Sequence, residues 1–230
     1  MTPSITSPTS APRTRRNNRR GQGGRLREEL LAAASALITE TGSAQGLSLR
    51  SVAARAGVAA TSVYLHFADF DALRMAVAQH CFSEFAAARD AAVAGIDDPA
   101  RALIVRCQAY VQYALDHPGH YRLMYSSDLP QFNPRHPVPG PAADAARDPE
   151  TTLPSVAALN ALADSIQRCQ QAGATPDTTS PATLAILTWT CLHGQATLRI
   201  DRPYAYWPPL DQTINDLVTR LIRLHPATPM

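Results

Sequence analysis

Long apolar segments are missing from this sequence. No stretch approaches the roughly 20 apolar residues that a helix needs to cross a bilayer. The first 12 residues are polar and proline-rich, so they lack the apolar region of a secretory signal peptide. We therefore expect a cytoplasmic protein that has no membrane partner.

Cysteine is also scarce, and the four cysteines are far apart without a C-x-x-C pair. In a reducing compartment, isolated cysteines usually behave as small apolar side chains that are buried in the core. The histidines and cysteines, for example His117, His120 and Cys107, lack the paired short spacings of a structural zinc site. The sequence therefore predicts no metal ion.

Motifs of enzyme active sites are missing too. The sequence contains no nucleophile elbow, no phosphate-binding glycine loop and no paired-carboxylate motif, and glycine is scarce outside turns. We therefore expect a protein that is not an enzyme and that uses no cofactor.

Lysine is absent, so arginine supplies all 21 basic residues, and their distribution is uneven. Residues 1–27 carry seven arginines before the first acidic residue, Glu28, whereas the other 203 residues carry 14 arginines and 19 acidic residues. A flexible basic arm on a mildly acidic body indicates a polyanionic partner such as nucleic acid. The alternative is a solvated, disordered tail, and the charge pattern by itself favours neither.

Apolar residues recur at helical spacing through almost all of the chain after residue 23, and no sustained alternation predicts a strand. The pattern predicts an all-α protein. One predicted helix, 182–200, is apolar on nearly every side, so it must lie deep in its domain or against a second subunit. The predicted helices cover about 25–41, 49–56, 60–66, a long stretch from 69, 99–116, a short stretch containing 121–125, 155–172, 182–200 and 210–224.

The segment 48–67, SLRSVAARAGVAATSVYLHF, predicts two short helices joined by a turn of about three residues. Such helices pack at a steep angle when the second one enters a DNA major groove. Ser48 is expected to cap the first helix, Ala53 is small where the helices approach, and Gly57 is expected to be left-handed. An ordinary helical hairpin would share this periodicity and this glycine. The exposed face of the second helix carries small or hydrogen-bonding side chains and no acids, namely Ala59, Ala60, Thr61, Ser62, Tyr64 and His66.

The stretch from Arg25 to Leu73 closely resembles the DNA-binding domain of the TetR family of bacterial repressors. The resemblance includes Tyr64-Leu65-His66-Phe67, which is similar to the family's Tyr-x-His-Phe signature. It implies that Tyr64 and His66 donate hydrogen bonds to operator phosphates, and that Phe67 holds the recognition helix in the core. It also implies that Ala60 and Thr61 face base edges. The predicted DNA contacts are Arg13, Arg15, Arg16, Arg19, Arg20, Arg25, Ser48, Arg50, Ala59, Ala60, Thr61, Ser62, Tyr64 and His66.

One residue departs from the family pattern. The family usually has a phosphate-binding lysine at the start of the fourth helix, where this sequence has Phe70 between two aspartates. The arginine arm is a plausible replacement, because arginine suits the DNA backbone and a narrow minor groove.

The C-terminal half resembles one TetR subgroup, whose C-terminal domain is named for a Trp-His-Gly motif that Trp189, His193 and Gly194 match here. This resemblance implies a ligand cavity and a four-helix dimer interface, which 155–172 and 182–200 would form. The same aromatic residues could instead fill the core. Because few ionisable groups lie on the apolar faces, we expect a mostly apolar effector. The candidate ligand-binding residues are Tyr110, Tyr113, Tyr121, Met124, Trp189 and His193.

These features predict a homodimeric repressor that binds a pseudo-palindromic double-stranded operator and is released by a small effector. The alternative is an architectural or effector-independent DNA-binding protein that relies on its arginine-rich arm. Residues 126–150, with six prolines, would be either a lid or disordered. The predicted organisation is a disordered basic arm (1–23), a three-helix helix-turn-helix domain (24–70), a linking helix (71–94) and a helical effector-binding and dimerisation domain (95–225).

The arm can be tested by deleting residues 1–20, which removes five arginines. We expect the affinity for DNA to fall less steeply with salt, because the slope of log affinity against log salt loses about 0.9 per phosphate contact. Fluorescence anisotropy over a salt series measures this slope. A full-length variant with the five arginines changed to glutamine is the matched control for chain length. Equal slopes for all three proteins would show that the arm is only a solubilising tail.

Overall fold

The computed structural model describes residues 23–127, 129 and 154–225. Within these ranges the chain is all-helical and forms no strand, as the sequence predicts. The arm arginines from Arg13 to Arg20, and the predicted loop 126–150 apart from residues 126, 127 and 129, lie outside the described residues. In chain order the helices are α1 (Gly23–Thr41), α2 (Leu49–Ala56), α3 (Ala60–Val63), α4 (Phe70–Ala92), α5 (Pro99–Asp116), α6 (Pro118–Met124), α7 (Pro154–Gln171), α8 (Pro181–Asp201) and α9 (Leu210–Ile222).

Both predicted ends of α2 are confirmed. The Ser48 hydroxyl accepts a hydrogen bond from the Ser51 amide at 3.0 Å, and the Ser51 hydroxyl accepts one from the Ser48 amide at 2.9 Å. This reciprocal arrangement satisfies amides that the first turn of a helix leaves without partners. Gly57 ends the helix with φ of 70°, a conformation in which a Cβ atom would be strained.

The third helix is shorter than predicted. It ends at Val63, and Tyr64, Leu65 and His66 form a turn instead of the last helical residues. The Val63 carbonyl accepts hydrogen bonds from the amides of both His66 and Phe67, at 2.9 and 3.0 Å. The chain must turn here because Asp69 already caps α4, its carboxylate accepting a hydrogen bond from the Ala72 amide at 2.7 Å.

A single cluster of buried apolar residues extends from Leu26 in α1 to Leu224 after α9. It includes the stripe of α4 at four-residue spacing, so α4 contributes to the core of both halves. In the C-terminal half α5 lies between α4, α8 and α9, and α7 packs against α8. No helix among the described residues is long and apolar enough to cross a membrane.

The cysteines follow the prediction with one exception. All four are unpaired thiols, and Cys81, Cys107 and Cys169 are buried. The prediction is wrong for Cys191, which is exposed. Cys191 shares a face of α8 with Leu187 and Leu198, which are 46% and 53% exposed in the single chain. The sequence predicted correctly that α8 is apolar on most sides, but this face is not covered by the described part of the chain.

A second contact between the two halves is formed by α6 and α1. A Cβ atom added to Gly119 would lie 2.8 Å from Cγ2 of Ile38 and 2.9 Å from the carbonyl carbon of Gly42. One residue further on, the His120 Nε2 atom lies 3.0 Å from the Ser35 carbonyl oxygen. The start of α6 is therefore packed directly against the end of the first helix.

Replacing Gly119 with alanine tests this contact. Gly119→Ala should lower the free energy of unfolding by about 1–3 kcal/mol, because backbone atoms of Gly42 block the added methyl group. Gly46→Ala is the matched control, because a Cβ atom there would have no neighbour within 4 Å. Urea denaturation followed by circular dichroism measures both. A Gly119→Ala protein as stable as wild type would show that α6 can move away from α1 without cost.

Candidate DNA-binding surface and effector site

The first candidate site is the surface formed by α2, α3 and the turn that follows. Tyr64 is 57% exposed in the turn, and the neighbouring Leu65 is 83% exposed. Phe67, two residues after Leu65, is only 3% exposed, so the end of the turn is anchored in the core while Tyr64 and Leu65 face solvent. An outward surface on a fixed support can contact a duplex without folding on binding. The other predicted contacts are exposed (Ser48, Arg50, Ala59 and Thr61) or partly exposed (Ala60, Ser62 and His66).

The arginines near this surface differ in their partners. Arg25 pairs with Glu29 at 2.9 Å and Arg55 pairs with Glu40 at 2.7 Å. The hydrogen bond from Arg55 lowers the pKa of Glu40. Arg50, by contrast, is exposed at the start of α2 and has no ion-pair partner in the described part of the chain. Its charge is available to a phosphate, and the exposed pair of Arg25 is weak enough to exchange.

The sequence analysis did not identify a cation close to Phe70, the residue that departs from the family pattern. The guanidinium of Arg74 lies over the Phe70 ring, 5.9 Å from its centroid, and 3.6 Å from the Asp71 carboxylate. Arg74 follows Phe70 by four residues, so both lie on one side of the first turns of α4. A positive charge is therefore present where the family's lysine is absent.

The second candidate site is a cluster of aromatic side chains between α5, α6 and α8. The Tyr121 hydroxyl lies 2.6 Å from Nδ1 of His193 and 2.9 Å from the Tyr110 hydroxyl. The Trp189 ring lies 5.6 Å from the His193 ring, so these two residues share one helix face as predicted. Tyr125, which sequence reasoning did not select, contacts the rings of Tyr121, Trp189 and His193.

Burial fixes the protonation states in this cluster. It lowers the pKa of His193, which keeps the ring neutral near pH 7. It raises the pKa of Tyr121 and Tyr110, so both phenols keep their protons. The Tyr121 hydroxyl and Nδ1 of the neutral His193 ring therefore share a hydrogen bond whose donor depends on the imidazole tautomer. A ligand that competes for either atom would break this link between α6 and α8.

A small cavity lies next to the cluster, between α4, α5, α7 and α8. Its volume is about 20 Å³, which is room for one or two water molecules. Of the predicted ligand-binding residues, only Tyr110 and Trp189 line it. Tyr121 and His193 belong to the adjoining cluster, and Met124 is completely buried. The remaining lining residues are Arg89, Arg106, Cys107, Ser155, Ala158, Leu159, Leu162 and Leu192.

Tyr113 does not join this group. Its ring packs against Phe85, at 5.0 Å between centroids, and against His117, at 4.5 Å. Tyr110 and Tyr113 are three residues apart on α5, and both are buried. The structure therefore places Tyr113 beside α4 and the start of α6, apart from the described lining of the cavity.

The most unexpected residue of the cavity is Arg89. It continues the four-residue spacing of Val77, Cys81 and Phe85 on the apolar stripe of α4, and it is only 4% exposed. Arg89 could have been identified from the sequence, because it is a charged residue at a position where the helix pattern expects an apolar one. Arg106, on α5, lines the same cavity and pairs with Asp90 at 2.6 Å.

Among the described residues, one group of possible metal ligands lies close together: Cys81, Glu84 and His120, with ligand atoms within 4.8 Å of one another. Some of these groups have other partners, whereas Nδ1 of His120 is buried without a hydrogen-bond partner among the described residues. Nε2 of His120 contacts Ser35, Glu84 pairs with His80 at 3.4 Å, and burial raises the pKa of Cys81 to about 12. Cys107, which was named with His117 and His120 as a possible metal ligand in the sequence, lines the cavity instead.

Two family models match the chain. Residues 30–77 match the model described as bacterial regulatory proteins of the tetR family. Residues 103–224 match a tetracyclin repressor-like C-terminal domain. The Trp-His-Gly subgroup is not named by either model and stays a prediction. No curated protein sequence matches the chain.

Solved structures have the same fold. A protein of unknown function from Rhodococcus sp. RHA1 is 26% identical, with a TM-score of 0.65 and coverage of 86% of this chain and 94% of that one. A putative TetR-family transcriptional regulator from Rhodococcus sp. is 18% identical, with a TM-score of 0.65 over 85% and 97%. RolR in complex with the ligand resorcinol is 17% identical, with a TM-score of 0.60 over 90% and 91%.

The C-terminal model alone covers more than half of the 230 residues, and the N-terminal model covers the helix-turn-helix. The chain belongs to the TetR family of transcriptional regulators.

Proposed function

We propose that this protein is a homodimeric repressor that binds a pseudo-palindromic operator and releases it when a small, mostly apolar effector binds. Regulators of the TetR family are typically DNA-binding repressors with a ligand-binding C-terminal domain. The observation that carries the proposal is the outward surface of α3 and its turn, supported from beneath by buried Phe67. The organisation proposed is a DNA-binding domain over 24–70, a linking helix over 71–94 and an effector domain over 95–225.

On this surface two kinds of contact have different roles. Tyr64, His66, Ser48 and Arg50 would contact phosphates, which position the protein without reading sequence. Thr61, exposed near the start of α3, would face base edges, which specify the site. The arginine arm and Arg25 would add contacts to the backbone or the minor groove.

Tyr64→Phe tests the phosphate contact. We expect the variant to bind operator and unrelated duplexes about 10-fold more weakly, because a hydrogen bond to a charged group is lost on every sequence. Gel-shift titration measures both affinities. Tyr204→Phe is the matched control, since Tyr204 is fully exposed outside this surface.

Thr61→Ala should instead change the order of preference among operator variants. An unchanged affinity in Tyr64→Phe would contradict the proposed contact. If Thr61→Ala lowered the affinity for all operator variants equally, Thr61 would not take part in base recognition.

The homodimer is supported by the face of α8 that the described part of the chain leaves uncovered. Ile186, Leu187 and Leu198 are 43%, 46% and 53% exposed, and Cys191 lies between them on the same helix. Several large apolar side chains exposed on one helix are typical of an interaction site. In the proposed dimer, α7 and α8 of each subunit form a four-helix interface. Each operator half-site then meets one recognition helix, about 34 Å from the other.

Leu187→Arg tests this interface. The side chain is half exposed in the single chain, so the variant should fold, but two arginines would meet at the interface and disfavour association. We expect a monomer in sedimentation velocity at micromolar concentration, and a large loss of operator affinity. Gln212→Arg adds the same charge on the exposed side of α9 and is the matched control. A wild-type protein that sediments as a monomer would contradict the proposal directly.

The effector response would reach the DNA-binding surface through α4 and α6. The cavity is bounded by α4, which continues from the helix-turn-helix, and it adjoins Tyr121 of α6. The next residues toward the start of α6 are His120 and Gly119, which contact α1. Since the cavity holds only one or two waters, an effector can enter only if helices or side chains move. An effector-independent architectural protein, the alternative, would show no drop in operator affinity with any ligand.

A further inference from the structure

Arg89 is a buried cation for which the described residues supply no anionic partner. It is 4% exposed, its Nε donates to the Phe85 carbonyl at 3.3 Å, and its guanidinium lies 4.2 Å from the Phe85 ring centroid. Within the part of the chain that the structure describes, neither terminal nitrogen is hydrogen-bonded and no carboxylate pairs with it. A charge taken out of water without a partner is costly, so such residues are rare unless they bind something.

The other groups around the cavity do not neutralise it. Arg106 also lines the cavity and already holds the nearest acid, Asp90, in an ion pair at 2.6 Å. Burial raises the pKa of Cys107 to about 12 and also raises that of Tyr110, so thiol and phenol remain uncharged at neutral pH. Among the described residues, two guanidinium groups therefore share one carboxylate, which leaves an excess positive charge at the wall of a mostly apolar cavity.

The apolar part of the wall limits the kind of anion. Trp189, Leu159, Leu162 and Leu192 line the same cavity as the two arginines. A free inorganic anion would leave these side chains unused and would keep most of its hydration. A guanidinium presents two parallel N–H groups that match the two oxygens of a carboxylate.

We propose that the effector is an organic acid, whose carboxylate pairs with Arg89 and whose apolar or aromatic body packs against Trp189 and Leu192. This inference rests on the proposed effector response and specifies its chemistry. It also refines the expectation of a mostly apolar effector, which rested on the small number of ionisable groups on the apolar faces. Because Arg89 lies on α4, an ion pair at this position acts on the helix that continues from the DNA-binding surface.

The experiment compares acids with their uncharged analogues on the full-length protein. The probes are benzoate, phenylacetate, 4-phenylbutyrate and 1-naphthoate, each paired with its primary amide. Binding is measured by the shift in melting temperature and by quenching of tryptophan emission, and operator release is measured in parallel by fluorescence anisotropy. We expect at least one acid to bind on the order of 10- to 100-fold more tightly than its amide, the gain from a charge-assisted hydrogen bond.

Three variants locate the effect. Arg89→Met should remove the preference for acids, and its ligand-free melting temperature should be no lower than that of wild type, because an unpaired buried charge is lost. Arg89→Lys keeps the charge without the two-pronged geometry and should show an intermediate preference. Arg101→Met changes an exposed arginine of α5 and should behave as wild type.

The proposal is overturned if amides bind as tightly as acids, if Arg89→Met keeps the preference for acids, or if no probe binds. The acid-to-amide comparison on wild type needs no variant, so it stands even if Arg89→Met fails to fold. An amide that binds the cavity and releases operator would overturn the organic-acid proposal while supporting the effector response. An acid that binds through Arg89 without releasing operator would support the site and contradict the repressor mechanism.

Discussion

The apolar stripe of α4 is the constraint on which both halves of the molecule depend. Leu73 and Val77 pack into the core beneath the helix-turn-helix, and Cys81 and Phe85 continue the same stripe among the C-terminal helices. Because protein interiors are close-packed, neither end of this helix can move without repacking its neighbours. A displacement at one end of α4 would therefore be transmitted along a rigid element to the other end.

The short helix α6 adds a second connection between the two halves of the molecule. Gly119 leaves no room for a methyl group against α1, and His120 contacts the Ser35 carbonyl. Tyr121, directly after His120, and Tyr125, about one turn later, belong to the aromatic cluster that reaches Trp189 and the cavity. Two routes with different chemistry, one apolar and one partly polar, thus join the same pair of sites.

The polar groups inside the C-terminal half are organised differently from its apolar groups. Tyr110, Tyr121 and His193 satisfy one another, so their cluster is stable without a ligand. Arg89 beside them is not satisfied in this way, although the cost of burying it is the larger one. This contrast within one region distinguishes groups that stabilise the fold from a buried cation whose terminal nitrogens have no hydrogen-bond partner among the described residues.

The sequence by itself determined the helices, most of their ends and the helix-turn-helix, because these depend on apolar spacing, caps and glycine at nearby positions. Ser48, Gly57 and Asp69 lie at helix ends, where their own side-chain or backbone chemistry is sufficient to predict their role. Only the tertiary structure decided that Tyr113 lies apart from Trp189, that Cys191 is exposed and that Arg89 is buried at a cavity. Those outcomes depend on which faces of distant helices meet. Helical periodicity predicts that an apolar face is buried, but it does not identify the helix that covers it.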